Sequence, residues 1–144
     1  MDTTSLGLRV AGTTVVLVGL LCISGCGPKS ATSLRKAPRS VLSFEVSADC
    51  ETVYDRIAQR ARGRYLITGL AAHQPGISAN LSPSRQFATV SLWDGGRIGL
   101  RYMLTADIRQ IEPLRTQVDF YSATRHYTKE AILWAQWAST PLKD

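Results

Sequence analysis

Three cysteines and two histidines are the side chains of this sequence best suited to nucleophilic or metal chemistry. Cys22 and Cys26 form a C-x-x-x-C pair, and a metal or redox role for it would need further ligands or a folded electropositive setting. Neither is present nearby, and Cys22 lies inside an apolar run. His73 and His126 are well separated, and with Cys50 they make no recognisable metal-binding spacing. A thiol–imidazole dyad of Cys50 with either histidine has no local support. No serine sits in a G-x-S-x-G setting, and the glycines of WDGGRIG (Trp93 to Gly99) do not spell a phosphate loop. Asp107, Arg109, Arg115 and Asp119 are expected to pair across adjacent strands as exposed ion pairs, worth about 0–1 kcal/mol each, rather than to act as catalytic carboxylates. The sequence therefore predicts no catalytic residue, no metal and no cofactor, in a protein that is not an enzyme.

The cysteines find a different explanation in what precedes them. Val10 to Ile23 is an almost uncharged run of 14 residues after Arg9. A membrane-spanning helix needs roughly 20 apolar residues, whereas a shorter run followed by small residues fits the core of a signal peptide. The tetrapeptide Ile23-Ser24-Gly25-Cys26 resembles the bacterial lipobox, the recognition sequence of signal peptidase II. The resemblance implies that the Cys26 thiol receives a diacylglycerol, that residues 1–25 are removed, and that the new amino group is acylated, commonly with palmitate. Cys22 would leave with the signal peptide. Two or three acyl chains give firm anchoring, so the implied partner is a membrane, held through Cys26. Gly27 stands where an aspartate would favour retention in the inner membrane. The expected location is thus the cell envelope, on the outer membrane facing the periplasm in a Gram-negative cell.

The formal charge of +6 is concentrated behind that point. Lys29, Arg35, Lys36 and Arg39 lie in one short segment without an acid, whereas from Val41 onward there are twelve basic and ten acidic residues. A nucleic-acid-binding domain would carry its basic patch on the fold, so nucleic acid is not an expected partner. Residues 26–40, rich in Ser, Gly, Pro, Lys and Arg, are expected to form a flexible basic tether. A single domain is expected over residues 41–144, and a chain starting near Ser40 is expected to fold on its own.

Within that domain Leu42, Phe44 and Val46 alternate with polar residues, as in a half-buried strand. Cys50, Val53, Tyr54, Ile57, Ala58 and Ala61 then form a helical stripe, with Asp49 and Glu51 at its start, Arg60 and Arg62 near its end, and Gly63 as its stop. Cys50 is expected to be a small buried group at the helix start. YLITGLAA and GISANLS suggest short strands separated by the turn HQPG. Ala88, Val90 and Leu92 share a face, and Asp94-Gly95-Gly96 is a hairpin signal. On the next strand Ile98, Leu100, Tyr102, Leu104, Ala106 and Ile108 alternate with polar residues. Thr116, Val118 and Phe120 begin another strand. A last helix, capped at Thr128, would pack Ile132, Leu133, Ala135, Trp137 and Ala138 on the sheet. The class is α+β: an antiparallel sheet, with one helix after the first strand and one at the C-terminus packed on it.

FEVSADCETVYDRI near the start and TQVDFYSATRHYTKEAILWAQWA near the end resemble small proteobacterial envelope lipoproteins of uncharacterised function. The opening also resembles helix-grip, START-like domains, in which a strand leads into a helix and a final helix covers a curved sheet. These resemblances imply a membrane-anchored envelope lipoprotein with a small binding or structural domain. The alternative is a carrier or sensor of a small apolar ligand, with a pocket lined by Tyr102, Leu104 and Phe120. A partner in the envelope is expected to meet Arg125, His126, Tyr127, Trp134 and Trp137, which combine a cation with amphipathic rings.

Overall fold

A computed structural model describes residues 27–65, 74–96 and 99–142. The lipobox residues Ile23, Ser24, Gly25 and Cys26, as well as Cys22, His73 and Ile98, lie outside these. The elements in order are α1 (Ala31–Lys36), β1 (Ser40–Val46), α2 (Cys50–Tyr65), β2 (Gln74–Leu81), β3 (Phe87–Gly96), β4 (Gly99–Glu112), β5 (Arg115–Ser122) and α3 (Arg125–Ser139). The strands form a five-stranded antiparallel sheet in the order β1-β5-β4-β3-β2. The expected α+β class is found.

One face of the sheet builds the core. Register places Leu42 opposite Phe120 and Phe120 opposite Ala106. Ala106 in turn lies opposite Val90, and Val90 opposite Ala79. Val53, Ile57 and Ala61 of α2 and Ala131, Trp134 and Ala138 of α3 close over this row. Alanines on both helices let α2 and α3 pack against each other as well as on the sheet. Leu104 and Phe120 are fully buried, and the Phe120 ring meets Phe44 edge-on at 5.9 Å. Two of the three residues expected to line an apolar pocket, Leu104 and Phe120, are thus packed within the core.

Helix ends depart from the sequence expectations for identifiable reasons. Asp49 caps α2, accepting from the Thr52 backbone N–H and hydroxyl, both at 2.8 Å. The helix runs through Gly63 to Tyr65, so Tyr65 is helical rather than part of a strand. Arg60 donates to the carbonyls of Trp137 (2.6 Å), Thr140 (2.8 Å) and Pro141 (2.6 Å), and Arg56 to that of Ala138 (2.9 Å). Arginines of α2 thus satisfy the open carbonyl end of α3, which has no basic residue in its own last turn. Helix α3 begins one turn before Thr128, with Thr124 at its N-cap. The Thr128 hydroxyl instead pairs with that of Ser40 at 2.7 Å, tying α3 to the first strand. Ile132, expected on the sheet, is exposed.

The largest correction concerns the segment expected to be a flexible tether. Ser30 and Ser33 form a reciprocal capping box that starts α1. Leu34 has 0% exposure, yet it is not part of the main core. The opposite face of the sheet explains this. Ser91 and Thr105 face each other there and are buried, their hydroxyls 3.0 Å apart. Asp107 and Asp119 stand directly opposite on β4 and β5, an arrangement of like charges that needs compensation. Arg35 supplies it on one side, with Nε at 2.7 Å and Nη2 at 2.5 Å from the two carboxylate oxygens of Asp107. Arg109 supplies it on the other, 3.2 Å from Asp119, which also accepts from Ser43 and Gln117. Asp107 is therefore not paired within the sheet as expected; its cation comes from α1. Arg115 pairs with Glu45 and Glu112, both at 3.1 Å. Two backbone bonds fix the ends of this strap. The Tyr102 N–H donates to Pro28 O at 2.7 Å, and the Arg39 N–H to Ser122 O at 2.7 Å. Several polar contacts thus hold a segment whose apolar content alone would not.

Candidate functional site

Strands β3 and β4 slip register between Leu92 and Trp93. Leu92 lies opposite Leu104, but Trp93 lies opposite Tyr102, so Met103 is the extra residue. A bulge of this kind bends the strand and re-aims its side chains. Met103, and not the expected Tyr102, packs against the core. Trp93 meets Gly76 on β2, where a Cβ would come within 2.1 Å of its ring. Gly76 and Pro75, expected in a turn, belong to this edge strand, where a residue without an N–H is tolerated.

Around the bulge lies a cleft of about 270 Å³ between the sheet and the first turns of α3. Leu92, Trp93, Met103 and Pro75 line it from the sheet, Tyr65 from the end of α2, and His126, Tyr127 and Glu130 from α3. Asp94 completes its rim. Glu130 accepts a short hydrogen bond from the Tyr65 hydroxyl and lies 3.4 Å from Arg64. Burial first, and then Glu130, push the Tyr65 phenol up to about 12. The buried Trp134 indole N–H makes no regular hydrogen bond, but lies near enough to the Tyr65 oxygen to oppose that rise. Tyr127 is also raised, by burial and then by Asp94 and Glu130. Both phenols thus stay neutral at ordinary pH and act as amphipathic walls. The His126 ring meets that of Tyr127 edge-on at 5.2 Å.

Of the expected contact residues, Arg125 and His126 are exposed and Tyr127 is half-buried in the cleft. Trp137 is half-buried and stacked on Trp134 at 6.2 Å. Trp134 is completely buried, so it is removed from any contact surface. Trp93, Tyr65 and Glu130 were not singled out in the sequence, because the bulge and the extra turn of α2 that assemble them leave no periodic trace.

The chemistry available elsewhere is limited. Cys50 is buried at the start of α2, where its thiol points to the Ile108 carbonyl at 3.7 Å. Burial, with Asp49 next, pushes that thiol up to about 11, so the nucleophilic thiolate is suppressed. Its distance from His126 also rules out a dyad of those two residues. His126 lies near the C-terminal end of α2, beside Tyr65, and Cys50 lies at the other end of that helix. Sixteen residues at about 1.5 Å per residue keep them apart. Among the described residues no group of three or more His, Cys, Asp or Glu is placed to hold a metal ion. A wider depression of about 660 Å³ lies at the far end of the sheet, beside Glu51, Arg85, Glu112 and Pro113. It lacks aromatic walls, and Arg85 pairs with Glu51 at 2.8 Å. Among the described residues no helix is long and apolar enough to cross a membrane. No protein-family model matches the chain, and no curated protein matches it.

Proposed function

We propose that this is a lipid-anchored protein of the cell envelope whose single domain works by binding, through the cleft beside the first turns of α3. The anchor reading rests on Ile23-Ser24-Gly25-Cys26 and the apolar run before it. In a cell with two membranes, Gly27 favours the outer one. The binding reading rests on one observation above all. The core is filled at Leu104 and Phe120, while amphipathic rings and a carboxylate line an open cleft at the surface. A filled core weighs against an internal apolar cargo, and the Glu130–Tyr65–Arg64 cluster is satisfied within itself rather than set up for proton transfer.

The anchor is tested by Cys26→Ala. The variant should accumulate as unprocessed precursor and take up no labelled fatty acid, and separated membranes should show the wild type in the outer fraction. A wild-type protein that is soluble, or labelled equally well without Cys26, would refute the reading.

A further inference from the structure

We propose that the end of the domain carrying the cleft is a lipid-contact face, held against the phospholipid headgroups by the docked strap. This rests on acylation of Cys26 and names the partner of the same cleft. A free tether of the 14 residues Gly27–Ser40 would let the domain wander by about 20 Å from its anchor. The strap removes that freedom. Pro28 is bonded to Tyr102 at the start of β4, and Leu34 and Arg35 lock the helix that follows. Cys26 is two residues from Pro28, so the anchor can lie no more than about 7 Å from that point.

The surface next to this point suits a headgroup layer. Leu100, 42% exposed, and Lys29 project beside the anchor exit. The β3–β4 bulge, the end of α2 and the start of α3 all lie at this end, so Trp93, Tyr65 and Tyr127 do too. Tyrosine and tryptophan are favoured at the level of the headgroups, where one part of the ring is dry and another wet. Of the two carboxylates at the cleft, Glu130 is engaged by Tyr65 and Arg64 and Asp94 stands at the rim. Glu45, Glu51 and Glu112 lie at the opposite end of the sheet, paired with Arg115 and Arg85. Arg125, His126 and Tyr127 then meet lipid rather than a protein partner.

The test uses the full, naturally processed protein in vesicles of phosphatidylethanolamine and phosphatidylglycerol. A nitroxide is placed by Leu100→Cys or by Leu114→Cys, at the exposed β4–β5 turn; buried Cys50 stays unlabelled. The 12 steps along β4 from Leu100 to Glu112 separate the two sites by about 40 Å. Lipid bearing a nickel-chelating headgroup should broaden the signal at position 100 strongly and leave that at 114 nearly unchanged. Equal broadening at both would overturn the proposal. Adding Leu34→Ala and Arg35→Ala frees the strap and should erase the contrast; an undiminished contrast would overturn the role given to the strap. Intact mass on the same samples separates the two readings. A chain without acyl mass refutes the anchor and this proposal together, and an acylated chain without contrast refutes this proposal alone.

Discussion

Removal of the strap should weaken the fold, although its sequence has the composition of a spacer. Leu34 is wholly buried, and truncating such a leucine costs about 2–5 kcal/mol. Helix α1 is six residues long and can settle into the space left, so Leu34→Ala should fall near the lower bound, about 2–3 kcal/mol. Arg35 makes two charge-assisted bonds to Asp107, and bonds to charged groups contribute about 1.5–3 kcal/mol. Its side chain is 29% exposed, which places Arg35→Ala near 1.5 kcal/mol (about the lower bound). That variant also leaves Asp107 facing Asp119 without its cation. The residues are neighbours, so the costs should not simply add. A chain beginning at Ser40 should be less stable than one beginning at Gly27 by about 3–5 kcal/mol, out of a typical total of about 5–15. Urea unfolding followed by tryptophan fluorescence measures this directly. The shorter chain should keep one cooperative transition at a lower midpoint. Coincident transitions would mean that the strap lies on the sheet without stabilising it.

Replacing Trp134 by Ala should cost about 3–5 kcal/mol, as for other buried aromatics. Trp137→Ala, from a half-buried site, should cost clearly less; thermal melts that rank them the other way would contradict the burial described here. The Asp49 carboxyl is held below its usual range by the Thr52 N–H and hydroxyl, so its contribution is present above the unfolded value of 3.8 and is lost as the pH falls through the lower folded value. Asp49→Ala should therefore destabilise by about 1 kcal/mol at neutral pH. The difference should vanish in acid, and a gap that persists at the acid limit would rule out the cap as its cause. Cys50, with its thiol pushed up to about 11, should resist alkylation at pH 8 until the protein is unfolded. Rapid labelling of the native protein would show that the site is open.

Much of the fold is legible in the pattern of single residues. The stripe through Val53, Ile57 and Ala61 and the alternation through Ala106 and Ile108 recur often enough to fix both element and face. Antiparallel order follows from the turn signals between β3, β4 and β5. Three features are hidden for physical reasons. Helix α1 has one apolar anchor, Leu34, and one remote salt bridge, so it shows no period. The β2 edge strand is legible from Ile77 onward, but it begins earlier, through Pro75 and Gly76, residues that ordinarily mark a turn, and its glycine is there to admit the Trp93 ring. The β3–β4 bulge moves Met103 into the place that strict alternation assigns to Tyr102. The cleft depends on the last two of these, which is why only its α3 side, His126 and Tyr127, was visible in the sequence.

Binding of the anchored domain through the cleft beside α3 can be read in the cell itself. A photo-reactive phenylalanine at position 126, at the exposed rim of the cleft, can be activated in living cells and its adducts read by mass spectrometry. The same residue at position 114, 72% exposed at the far turn, reports nonspecific contact. Phospholipid adducts are expected at 126 and few or none at 114. Adducts confined to 114, or equal at the two positions, would contradict binding through the cleft.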